Sequence, residues 1–365
     1  MVNLINMLVA MPSGLWEKII FAFNDAFKNY ALAIIILTLC IKLVLLPVDF
    51  LNRRSSSKMT QVQEKLQPKM AEIQRKYPDK TIQNQKLGEL YQKEGFNPMG
   101  SCVTMLIVMV VSMGVFFTLF SGLNSMASYK IVDQYEQLQK AYVAEYVDEK
   151  YGKDVNDLKI EDINGYILEI SVQKSGETNE EYFARVDKAN AAVALKYDEV
   201  RESFLWIKNV WIADSPLQRA IPSFDTYAQT AGLKFETEEA KTEAKQIYDA
   251  VMTRLEISQG VNGYFILAVL AAVATFLSQY LLTKKKEKKK NFYAKQQEGQ
   301  PMAPQASTGK AMMIVFPIIM MVFTLSYNSI FALYIVVGQL FTMATTPLIS
   351  KLIEVCDKKK QKQNP

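Results

Sequence analysis

Residues 31–51 read ALAIIILTLCIKLVLLPVDFL, a run long enough to cross a bilayer that nevertheless carries a lysine near its middle. A span needs roughly 20 apolar residues, at 1.5 Å of rise each, to cross about 30 Å of hydrocarbon. Lys42 lies on the order of 15 Å from either end of that run, too deep for easy snorkelling. An ammonium there costs roughly 3 kcal/mol on insertion scales, so the rest of the chain has to supply a compensating environment. On an α-helix Thr38, Lys42 and Asp49 share one face, and Pro47 frees the carbonyl of Leu43 a turn away from the lysine. That face is expected to point into a helix bundle or a hydrated recess.

The arrangement of the other residues extends this reading. Half of the 365 residues are hydrophobic and 22% are charged, with the apolar ones collected in blocks and the charges between them. The sequence lacks histidine, which excludes a Ser-His-Asp or Cys-His site and any His-ligated metal. Cys40, Cys102 and Cys356 are isolated, and the first two are expected as small packing residues. Residues 1–16 contain no basic residue, so they do not resemble an ordinary signal peptide. Leu15, Ile19, Phe23 and Phe27 suggest that 1–29 contains an amphipathic helix lying in the membrane interface.

These blocks define an all-α integral membrane protein with five transmembrane helices, at 30–51, 97–123, 261–282, 311–328 and 329–350. The last two are separated at Asn328-Ser329, because 312–349 is too long for one span of ordinary tilt. Pro317 and Pro347 are tolerable where neighbouring helices satisfy the freed backbone groups. Residues 52–96 carry ten bases against five acids, 283–310 eight against two, and the tail 351–365 five against two. The positive-inside rule makes all three cytoplasmic. The segment 124–260 has sixteen bases and twenty-five acids and belongs outside, giving an N-out, C-in topology.

Within 52–96, apolar residues at spacings of three and four from Met59 to Tyr77 give one helical arm. Pro78-Asp79 turns the chain, and a second arm carries Ile82, Leu87, Leu90 and Tyr91. This cytoplasmic hairpin is either a solvated antiparallel pair or a platform for an incoming chain or ribosome. The exterior segment is helical near 133–150, 178–205 and 236–258 and shows no catalytic motif. Phe204, Trp206 and Trp211 suit the outer membrane–water interface. The run Lys284–Lys290, KKKEKKK, is either a topology anchor or a site for anionic lipid or ribosomal RNA, and the Gln/Pro/Ala/Ser stretch after it looks disordered.

The polar residues in the later apolar blocks are Ser112 and Thr118, Ser278 and Gln279, and Gln339, Thr342, Thr345 and Thr346. Singly, such groups are more often helix–helix glue than function. Grouped around one midplane cation, they would line a hydrated groove formed by Lys42, Thr38, Asp49, Ser112, Ser278, Gln279, Gln339 and Thr342. No carboxylate chain crosses the membrane, so a proton relay is not expected, and no cofactor is called for. A small channel or transporter, or an envelope tether built on the exterior helices, are the alternative functions.

Several stretches together carry a family resemblance. IKLVLLP ends the first span, YQKEGFNPMGSC opens the second, FLWIKNVWIADSP and NGYFILAVLAAVATFLSQ precede and fill the third, and ALYIVVGQLF lies in the last. In this order, with the basic hairpin between the first two, the chain resembles the YidC family of membrane protein insertases over about 15–123 and 204–351. Residues 125–203 have no matched counterpart. The resemblance implies a five-helix bundle whose hydrophilic groove opens to cytoplasm and lipid but is closed outside, with no enzymatic chemistry. It implies nascent membrane proteins as substrates, the Sec translocon and ribosome as partners, and a bacterial cell membrane location. At Lys42 the family has an arginine, so the charge is kept and the bidentate fork is lost. Thr104, Val108, Ile335 and Gln339 also replace family groove residues, and a family glutamine falls at Ser278 or Gln279.

Overall fold

A computed structural model describes residues 11–93, 98–294 and 305–363. Its helices are α1 (Leu15–Phe27), α2 (Tyr30–Lys76), α3 (Lys80–Lys93), α4 (Pro98–Tyr151), α5 (Ile160–Ser171), α6 (Asn179–Val200), α7 (Phe224–Ala231), α8 (Glu238–Gln259), α9 (Ile266–Ala294), α10 (Gln305–Ser326) and α11 (Ser329–Gln363). The described residues contain no strand beyond two isolated bridges. Three helices hold stretches long and apolar enough to cross a membrane, Tyr30–Lys58, Leu106–Tyr151 and Ser329–Cys356. Ile266–Leu281 and Ile314–Ser326 are shorter apolar helices.

Two long helices continue past the expected span ends. α2 runs from the first apolar block through Pro47 and Pro68 into the first basic arm, and α4 runs unbroken from the second block into the exterior segment. Between 123 and 133 the sequence offers neither proline nor glycine, so nothing stops the helix there. Between α10 and α11 the chain breaks where the Asn328-Ser329 reading puts it; Asn328 Oδ1 accepts the Phe331 N–H at 2.9 Å.

The chain forms two compact units. One comprises residues 1–37, 120–272 and 318–336. The helices of 124–260 pack around buried Leu138, Tyr142, Ile163, Ile167, Val193 and Val251. Tyr135, Tyr227 and Tyr248 cluster with ring centroids 4.8–4.9 Å apart, and Tyr248 donates to the Pro222 carbonyl at 2.6 Å. α6 opens with a capping box between Thr178 and Glu181. Arg185 closes the end of α5, donating to the carbonyls of Glu169 and Ile170 at 2.6 and 2.8 Å while pairing with Glu177 at 2.6 Å. Glu169 accepts from Tyr146, Lys150, Tyr151 and Lys174; burial pushes its carboxyl up, but the Lys150, Tyr146 and Lys174 donors override that and hold it at about 2.

In the same unit, residues 209–214 latch onto the first residues of two apolar helices. Asn209 and Asn262 bond reciprocally, at 2.8 and 2.9 Å, and Asn262 also donates to Ala213. Ser329 Oγ donates to the Ile212 carbonyl at 2.6 Å. Buried Asp214 accepts from Leu267 N at 2.7 Å, Tyr264 N at 2.8 Å and Trp206 Nε1 at 3.2 Å, so a carboxylate from another segment caps α9. Trp211 is not an interface aromatic as the sequence suggests. It is 2% exposed and meets Tyr30 edge-on at 5.1 Å, because its flanking backbone is committed to the latch. In α1, Glu17 and Ile20 turn inward while Leu15 and Phe27 stay exposed.

The other unit comprises 38–119, 273–317 and 337–365. Here α2 and α3 form the expected hairpin around Tyr77-Pro78-Asp79, tied by Gln83 Nε2 to the Tyr77 carbonyl at 2.6 Å and by Tyr91 to Met70 Sδ at 3.6 Å. Cys40 stands at an exposed position of α2, correcting its reading as a packing residue. Cys102 is outside the described side chains, and most of the stretch read as disordered is outside the described residues, although α10 already starts at Gln305.

Candidate functional site

Lys42 lies on the α2 face expected for it. At 100° per residue, Thr38, Lys42, Asp49 and Arg53 fall within an arc of about 60°. Thr38 is buried and Lys42 half-buried. They meet α11 at Gly338, where a Cβ would lie 3.1 Å from Lys42 Cε, 3.7 Å from its Nζ and 3.9 Å from Thr38 Cγ2. Glycine therefore supplies the room that the lysine stem occupies.

Around this contact the structure collects several of the expected polar residues. Thr342 donates to the Gly338 carbonyl at 2.8 Å, closing the turn of α11 that faces the lysine. Ser278, buried on α9, donates to the Gln339 carbonyl at 3.4 Å, joining α9 to α11 one residue along. Of the two positions open for the family glutamine, Ser278 is the buried one and Gln279 is half-buried. Asp49 interacts electrostatically with both Lys42 and Arg53. Ser112 is not brought to this cluster; it is exposed on α4 and makes no hydrogen bond to these residues.

Three contributors were missed from the sequence. Arg53 donates to Thr346 Oγ1 at 2.8 Å, so α2 carries a second cation against α11. Its spacing of eleven from Lys42 was the available signal. Gly338 carries no signal without knowledge of what crosses it. Thr275, one turn before Ser278, is 1% exposed and its hydroxyl has no hydrogen-bond partner. Among the described residues, no group of acidic residues or cysteines has metal-binding geometry.

An all-helical chain with apolar helices of membrane-crossing length, one carrying a lysine packed on a neighbouring helix, is a membrane protein of the all-α class. The model of the 60Kd inner membrane protein family, the family of YidC, matches residues 22–177 and 192–358, and the chain belongs to that family. The match runs to residue 177 and resumes at 192, so within 125–203 only 178–191 lies outside it. Similar curated proteins are each named Membrane protein insertase YidC. That of Geobacter sulfurreducens is 39% identical over 102 residues, 28% of this chain and 18% of its own length. That of Geobacter metallireducens is 41% identical over 96 residues, 26% and 16% of the two lengths. The Fusobacterium nucleatum protein is 36% identical over 96 residues, 26% of this chain and 45% of its own. The matched stretches therefore span less than half of each relative.

Proposed function

We propose that this protein is a membrane insertase that moves polar exterior segments of nascent membrane proteins through a hydrophilic groove and releases their spans to lipid. The observation that carries the reading is Lys42, seated with Thr38 against Gly338 inside an apolar helix. Five spans, N-out and C-in, suit the five apolar blocks and the basic intervals. The groove is formed by Thr38, Lys42, Asp49, Ser278, Gln279, Gln339 and Thr342, with Ser112 reached only by a substrate that extends to α4.

In this mechanism an acidic exterior segment of a new chain enters from the cytoplasm, drawn by Lys42. At 4 Å and an effective dielectric of 20, such a pair is worth about 4 kcal/mol before desolvation. Asp49 lies between the two cations on α2, where it moderates the field and keeps a substrate carboxylate from being trapped. The recess shortens the hydrocarbon distance the segment must cross, and the substrate span then partitions into lipid, which supplies the driving force. The 52–96 hairpin receives the chain. Lys284–Lys290 and the basic tail hold anionic lipid or a ribosome, and a Sec translocon shares larger substrates. The relatives named insertases support the assignment.

The test is insertion of a one- or two-span substrate with an acidic exterior segment into proteoliposomes, scored by protease protection. Wild type and Lys42→Arg insert it and Lys42→Ala does not. Normal insertion by Lys42→Ala would sink the electrostatic step. No insertion by wild type, with or without a translocon, would sink the insertase reading.

A further inference from the structure

We infer that the exterior unit docks on the outer leaflet through a rigid apolar patch built from Leu205, Leu217 and Tyr264, with a lipid surface as the partner. Phe204 and Ile207 exchange backbone hydrogen bonds at 3.0 and 2.9 Å, making a two-residue turn with Leu205 at its first central position. Leu205 has φ +54°, the left-handed region where such turns prefer glycine, and is 76% exposed. A leucine that is both strained and bare is unfavourable in water on two counts. Leu217, directly after Pro216, is 86% exposed and Tyr264 is 58% exposed. Large apolar side chains held out together mark an interaction surface.

The occupant follows from what these residues are fastened to. Lys208 N donates to the Asn262 carbonyl at 3.3 Å, Asn262 N donates to Gln218 at 2.9 Å, and Trp206 and Tyr264 share the Asp214 carboxylate. The patch is thus bonded directly to the residues that open α9, at the height where a span leaves the hydrocarbon. Charge does not oppose this. Although 124–260 is acidic overall, Asp214 turns into its three donors and Glu202 into a half-buried site where burial raises its carboxyl. The neighbouring acids Asp198 and Glu256 are neutralised in ion pairs with Arg201 and Arg219, at 3.4 and 3.2 Å. The inference rests on α9 crossing the membrane, and its test separates the two.

Single cysteines at 205, 217, 183 and 269, placed in the full chain with Cys40, Cys102 and Cys356 replaced by Ala, are labelled with an environment-sensitive fluorophore in phosphatidylglycerol-containing proteoliposomes. Phe183 is exposed on α6 about 25 Å along the helix from its Val200 end, and Val269 is exposed on α9. Labels at Leu205→Cys and Leu217→Cys are expected to shift to the blue and be quenched by nitroxides near the headgroups. The Val269→Cys label is quenched by deeper ones and the Phe183→Cys label by none. Should 205 and 217 behave like 183 while 269 is quenched at depth, the docking patch is wrong and the span stands. A water-exposed label at 269 overturns both.

Discussion

The apolar helices and the exterior helices treat polar groups in opposite ways. In 124–260, polar groups are numerous and cross-linked: Glu169 gathers four donors, Arg185 closes a helix end, and Lys188 bridges Glu145 and Glu149 at 2.8 and 2.7 Å. Each such group holds the fold. Around Lys42 they are few, and some bond to the carbonyl a turn back, as Thr342 and Thr345 do, which leaves their remaining capacity for something else. A charge kept in that setting costs stability. The difference teaches where a substitution should be felt: in folding among the helices of 124–260, in activity around Lys42.

The largest break of that contrast is expected at Lys42. Losing an attraction of about 4 kcal/mol at an effective dielectric of 20 should reduce insertion of an acidic substrate by tenfold or more in Lys42→Ala. Thermal unfolding in detergent should be unchanged or improved, since a costly burial is relieved. A variant that unfolds but still inserts at residual fold would reverse the contrast. Next comes Asp214→Ala, which strands the buried Leu267 N–H at the start of α9 together with the part-buried donors of Tyr264 and Trp206, and should lower stability of the 124–260 helices by about 3 kcal/mol, read as faster limited proteolysis of 124–260.

Gly338→Val sharpens the comparison from the other side. Its branched side chain must displace the Lys42 stem, with an overpacking cost of about 1–3 kcal/mol. Insertion should fall several-fold and Gly338→Ala should be milder, as measured in the same protease-protection assay. The smallest effect is on pH dependence. Glu169 titrates at about 2 in the fold against an ordinary 4.5, so its stabilisation is full above 4.5 and drains away as pH falls toward 2. Glu169→Gln should flatten this share of the acid-unfolding curve of the exterior helices, followed by circular dichroism. An unchanged curve would remove Glu169 from the network's role.

Much of the helical layout was legible because apolar runs and charged intervals are local properties of the chain. The hairpin turn at Pro78-Asp79 and the break at Asn328-Ser329 are written in residues that favour turns and helix starts. The face of Thr38, Lys42 and Asp49 followed from helical spacing alone. The same local reasoning misplaced Trp211, whose amphipathic ring suits an interface but whose backbone neighbours are bound to Asn209, Asn262 and Ser329. It also took Cys40 for a packing residue, though its position on α2 is exposed.

By itself, then, the sequence determined that this chain is helical, membrane-bound and burdened with a cation deep in its first apolar helix. The reason is that hydropathy and charge act residue by residue along the chain. Only the tertiary structure decided what meets that cation: the bare backbone of Gly338, the Ser278–Gln339 bond, and Arg53 reaching Thr346. Residues some 300 positions apart in sequence have no local pattern linking them, because close approach between helices is set by packing and not by periodicity.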